Sequence, residues 1–143
     1  MQLTQFTDIG LRVLMYVAHR QDGELTRLAE LSDKFQLSHN HLVKVVNRLI
    51  KLGWIASTRG RNGGIELAVD AQALSLATIV RELEGDFPLV DCHKNHCVLE
   101  SACNLIGILD RGLNHFYDYL DNYYLSDLVQ PPTAQLISKL QLV

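Results

Sequence analysis

Cys92, Cys97 and Cys103 lie within twelve residues of one another. Three thiols so close can converge on one metal centre, because thiolate is the soft ligand that zinc and iron–sulfur clusters prefer. Three cysteines leave one coordination position to be filled. His93 and His96 are close by, Asp8 and Asp91 are carboxylate options, and water or a small molecule would also serve. Spacing alone does not separate a cluster from a zinc site made of three cysteines with His93 or His96. The neighbours of Cys92 and Cys97 are polar (Asp91, His93, Lys94, Asn95, His96), which argues against inert buried thiols. An odd number of cysteines, without a secretion signal, argues against a disulfide framework.

A second constellation is electrostatic. The chain of 143 residues has a net charge of −3. Yet Lys34 to Ile65 holds six basic residues (Lys34, Lys44, Arg48, Lys51, Arg59, Arg61) and no Asp or Glu, whereas Glu66 onward holds eleven acids and four bases. A basic patch inside an acidic protein is the footprint of a small DNA-binding region. Within it, Leu42, Val45, Val46 and Leu49 fall on one face of a helix. His41, Lys44, Arg48 and Lys51 form the opposite stripe, with Asn40 and Asn47 beside it. A helix in the major groove needs that division: an apolar back and a donor-rich front. Ser38, His39 and Asn40 at its start would lie nearest the base edges, and the basic residues would meet phosphates. Arg59-Gly60-Arg61-Asn62-Gly63-Gly64 suits a turn whose glycines approach DNA closely and whose arginines seek phosphate or the minor groove.

These sites need particular elements to present them. Apolar periodicity predicts a helix from about Thr4 to His19, a second from Thr26 as N-cap to Phe35, and a third capped by Ser38 that reaches Leu52 and is closed by Gly53. Two short strands around the glycine-rich turn make a hairpin. Ser75 opens a further helix that Gly85 closes, and a long helix runs from Leu99 to Tyr124. Its Ile106, Leu109, Leu113, Phe116, Leu120 and Tyr123 form a heptad seam suited to a partner helix. Pro131-Pro132 breaks any helix, leaving a tail that either frays or docks.

The expected fold class is mainly α with a small β-hairpin: a winged helix-turn-helix over residues 1–85, a cysteine loop over 86–103, a long dimerisation helix over 104–126 and a tail over 127–143. No basic leader with an apolar run opens the chain, and no stretch of about 18 apolar residues could span a membrane. A cytoplasmic protein without membrane contact is expected. No CxxC, GxSxG or phosphate loop suggests an enzyme. The rivals are a zinc- or thiol-based regulator on the same fold, and a small iron–sulfur electron carrier with no DNA role.

Leu3–Arg12 (LTQFTDIGLR), His39–Lys44 (HNHLVK), Arg59–Ile65 (RGRNGGI), Ile79–Glu84 (IVRELE), the three cysteines and the stretch Asp121–Val129 together resemble the NsrR family of nitric-oxide-sensing repressors. That family lies within the wider group of winged-helix regulators that includes IscR. The resemblance covers nearly the whole chain. It implies a homodimer that represses nitric oxide detoxification genes and releases double-stranded promoter DNA when nitric oxide attacks its cluster. It further implies that Cys92, Cys97 and Cys103 bind an iron–sulfur cluster, 4Fe–4S in preference to 2Fe–2S. Asp8 corresponds to a fourth ligand supplied by the partner subunit. IscR-like relatives use a histidine three residues after the last cysteine; here that residue is Ile106, which cannot ligate.

Overall fold

The computed structural model describes residues 2–20, 23–85, 89–92, 94 and 96–142. Helix α1 (Gln5–His19) starts at Thr4, whose Oγ1 accepts the Thr7 N–H at 3.3 Å. Ile9, Val13, Leu14, Tyr16 and Val17 are buried along it. Helices α2 (Leu28–Phe35) and α3 (His39–Lys51) complete a helix-turn-helix, joined through Gln36 in the left-handed region (φ 51°). Tyr16 Oη donates to Glu30 of α2, which also pairs with Arg20 at 3.1 Å. Burial and the adjacent Glu30 carboxylate push the Tyr16 phenol far above its ordinary range, so it stays a donor.

Two capping expectations fail. Thr26 does not cap α2: it forms an antiparallel bridge to Ile65, with N–H to oxygen distances of 2.9 and 2.8 Å. Its backbone is spent on the hairpin, and Arg27 takes the N-cap position with no side-chain bond. Ser38 stands at the N-cap of α3 but makes no side-chain capping bond; buried Leu42, Val45, Val46 and Leu49 hold that helix instead.

The wing is an antiparallel hairpin of β1 (Ile55–Thr58) and β2 (Gly64–Leu67), with Ile55 opposite Leu67 and Thr58 opposite Gly64. A Cβ on Gly63 would lie 2.2 Å from the Thr58 carbonyl oxygen, so this return of the chain excludes any side chain. Helix α4 (Leu76–Glu84) begins as expected, with Ser75 Oγ accepting the Thr78 N–H at 3.2 Å, and Gly85 (φ 76°) ends it.

A 3-10 turn (Glu100–Ala102) precedes helix α5 (Asn104–Leu120), which is shorter than the expected Leu99–Tyr124. Cys103 is extended (φ −88°, ψ 112°), so the helix cannot begin before it. At the far end the Leu76 N–H donates to Tyr123 O at 2.8 Å and the Leu125 N–H to Leu74 O at 2.9 Å, drawing the chain out of the helix. The expected seam is also partly spent within the chain. Leu113, Phe116 and Leu120 pack with Tyr117 on Ala77 and Val80 of α4, and the Arg81 guanidinium lies 3.9 Å from the Tyr117 ring centre.

The tail docks. After a short α6 (Leu125–Leu128), helix α7 (Thr133–Leu142) buries Ile137. His19 and the Ser138 hydroxyl are 2.8 Å apart, and Gln141 Nε2 donates to the Tyr16 carbonyl at 3.2 Å. Among the described residues no helix is long and apolar enough to cross a membrane. Ile137→Ala should destabilise the chain by about 2–4 kcal/mol in urea unfolding; an unchanged midpoint would show that α7 does not pack in solution.

Candidate nucleic-acid interface and thiol site

Amphipathic α3 turns Val45, Val46 and Leu49 into the core and leaves Ser38, His39, Asn40, His41, Lys44, Asn47 and Lys51 exposed. Arg59, Arg61 and Asn62 are exposed at the tip of the wing. Between helix and wing runs a groove lined by Arg27, Leu28, Val46, Asn47, Ile50, Ser57, Thr58 and Gly63–Ile65. Arg27, Ser57 and Thr58 therefore join the polar surface, although sequence reading passes over them. Only the bridge between Thr26 and Ile65 brings Arg27 there, and no local pattern announces it.

Arg48 differs from the other residues of the expected DNA face. Its Nη2 pairs with Glu82 Oε2 of α4 at 2.8 Å and donates to the Glu82 carbonyl at 3.2 Å. Its charge is thus engaged within the protein, while Lys44 and Lys51 project into solvent.

The cysteine loop joins α4 to α5. Asp91 Oδ1 accepts the Lys94 N–H at 2.9 Å, and the Cys97 N–H donates to the Cys92 carbonyl at 3.1 Å. These bonds draw Lys94 back to Asp91 and Cys97 back to Cys92. The Cys92 thiol is pushed above its ordinary value, first by desolvation, then by the neighbouring Cys97, which also hydrogen-bonds it, and then by Cys103 and Glu100. Cys92 therefore feels the other two sulfurs, and a bound cation would favour its thiolate. Cys103 occupies the N-cap of α5, where the helix's partial positive charge favours an anionic ligand. His96 lies in the loop at φ 49°; His93 is outside the described residues.

Among the described residues no three His, Cys, Asp or Glu side chains are grouped to hold a single metal ion. An iron–sulfur cluster asks for less convergence, because its thiolates bond different irons. The soft, neighbouring donor set fits that group, with one ligand still to be supplied. Asp8 is not brought to the cysteines within one chain. It stands in the first turn of α1 with both carboxylate oxygens on Arg12, at 3.1 and 2.8 Å, and both side chains are about half exposed (48% and 46%).

Residues 3–131 match the model of the Rrf2 family, described as iron-dependent transcriptional regulators. The chain is 40% identical over 132 residues to the HTH-type transcriptional regulator NsrR of Bacillus licheniformis, covering 90% of this chain and 92% of that protein. Among solved structures, it resembles the oxidized form of Staphylococcus aureus CymR with a TM-score of 0.73 at 27% identity, over 91% of this chain and 97% of that one. IscR from T. potens shares the fold with a TM-score of 0.69 at 19% identity, over 90% and 86% of the two chains.

Arg59→Ala and Arg61→Ala should each weaken binding to double-stranded DNA and flatten the slope of log affinity against log salt by about one. If both variants keep the full slope, the wing does not touch phosphate.

Proposed function

The chain belongs to the Rrf2 family of transcriptional regulators, and from that premise we propose that it is a dimeric repressor that releases promoter DNA when nitric oxide acts at its cysteine loop. The observation that carries this reading is the placement of Cys92, Cys97 and Cys103 within twelve residues between α4 and α5, in a chain 40% identical to an NsrR regulator. These three residues would hold an iron–sulfur cluster, 4Fe–4S in preference to 2Fe–2S, in the reducing cytoplasm. When bound, that cluster supplies thiolate-ligated iron, the part of the site open to nitric oxide.

Asp8 of the partner subunit would supply the fourth ligand. To do so it leaves Arg12, and an exposed ion pair of this kind is worth at most about 1 kcal/mol, so the exchange is accessible. A carboxylate crossing between subunits ties the cysteine loop of one copy to α1 of the other. Since α1 packs directly on α3, the tie holds the two recognition helices at the spacing that half-sites about one DNA turn apart require. Loss of the tie lets the helices fall out of register with the operator.

The second copy packs along α5. With Leu113, Phe116 and Leu120 turned to α4, the stripe left exposed is Leu105, Ile108, Gly112, His115 and Tyr119. It advances in steps of three and four, the heptad rule of a helix seam, one position before the seam that sequence periodicity suggests. Leu105, Ile108 and Tyr119 are 54%, 56% and 62% exposed, a large apolar area for an isolated chain to leave in water.

Protein purified without oxygen should show a broad visible band that nitric oxide bleaches. Asp8→Ala should alter the band or its response; a spectrum and response identical to wild type would rule out the cross-subunit ligand. A colourless protein carrying one zinc per chain would move the assignment to a zinc regulator. Ile108→Glu should give monomers in light scattering and lower affinity for promoter DNA at least about tenfold. A dimer that survives this change would place the interface elsewhere.

A further inference from the structure

The last three residues of α4 each grip a different part of the DNA-reading unit. Glu82 holds Arg48 of the recognition helix through its carboxylate at 2.8 Å and its carbonyl at 3.2 Å. Leu83 is buried with its δ-carbon only 2.6 Å from where a Cβ on Gly10 would stand, so α1 and α4 pack in close contact there. Glu84 Oε1 accepts the Thr4 N–H at 2.7 Å and the Thr4 hydroxyl at 3.0 Å, at the residue that caps α1. Gly85 then ends the helix.

We propose that Arg48 is a positioning residue rather than a phosphate contact: pinned to Glu82, it sets the angle at which the recognition helix leaves α4 for the DNA. The proposal rests on the DNA-binding reading above and not on the cluster. Three features of the pair support it. The Arg48 side chain is less exposed than its neighbours on the stripe, at 36%. The one nitrogen that meets the carboxylate also meets the backbone, which fixes the direction of the guanidinium as well as its charge. And 34 residues separate the partners, so the bridge joins two helices rather than stabilising either one alone. The phosphate-binding charge on this face is then left to Lys44, Lys51, Arg59 and Arg61.

The two roles predict opposite signs for one variant. The full chain is titrated by fluorescence anisotropy against a labelled duplex of promoter DNA from the organism, across a series of salt concentrations. If Arg48 positions the helix, Glu82→Gln and Arg48→Gln each weaken binding about two- to fivefold, the scale of a partly exposed ion pair. The double variant is then no weaker than either single one, the salt slope is unchanged throughout, and Arg48→Lys recovers part of the loss. If Arg48 reaches phosphate, Glu82→Gln frees it and tightens binding, while Arg48→Gln flattens the slope by about one. Either of those results overturns the proposal, as does a Glu82→Gln variant that binds like wild type. Should Arg48→Gln fail to fold, the sign of the Glu82→Gln effect decides alone. A wild-type chain that binds neither this duplex nor a mixed-sequence one removes the DNA reading, and the proposal with it.

Discussion

Val13, Leu14 and Tyr16 are fully buried because α3, α4, β2, α6 and α7 all close on α1. Burying each such side chain contributes about 1.5–3 kcal/mol, and no other helix gathers so many partners. The position of α1 therefore determines two others: where α3 presents its polar face, and where α4 stops. The cysteine loop follows the end of α4, so α1 underlies both the helix that carries the DNA-facing residues and the helix that precedes the thiols. Asp8 and Arg12 sit on its outer surface, facing neither the core nor the thiols of their own chain.

Charge is distributed with the same economy of position. An acidic protein approaches DNA only if its basic residues are gathered and its acids are kept from them. Lys44, Lys51, Arg59 and Arg61 meet that condition, standing exposed on α3 and the wing. Glu82 is the exception, an acid reaching the recognition helix and pairing with its one arginine. Its place at the last turn of α4 joins that helix to the recognition helix by a polar contact.

Local patterns in the sequence were sufficient where structure is local. The two faces of α3, the glycine turn of the wing, the Ser75 cap and the Gly85 stop each depend on residues within a few positions of one another. The errors arose where a distant partner decides. Thr26 reads as a helix cap until Ile65 claims its backbone. Periodicity identifies which residues of α5 share a face but not which neighbour covers it, so Leu113, Phe116 and Leu120 look available for a second copy until α4 is in place. The cysteine spacing showed that the thiols could meet, while the Asp8 pairing with Arg12 and the Arg48 pairing with Glu82 required the fold.

The most direct test follows promoter occupancy and the visible spectrum together while nitric oxide is added to the anaerobically purified protein bound to its promoter duplex. The account predicts that DNA leaves in step with the loss of the visible band, and that Cys92→Ser protein, lacking the band, binds the duplex weakly whether or not nitric oxide is present. DNA that stays bound after the band has gone, or a Cys92→Ser protein that binds the duplex as tightly as wild type, would contradict the claim that these three cysteines control DNA binding.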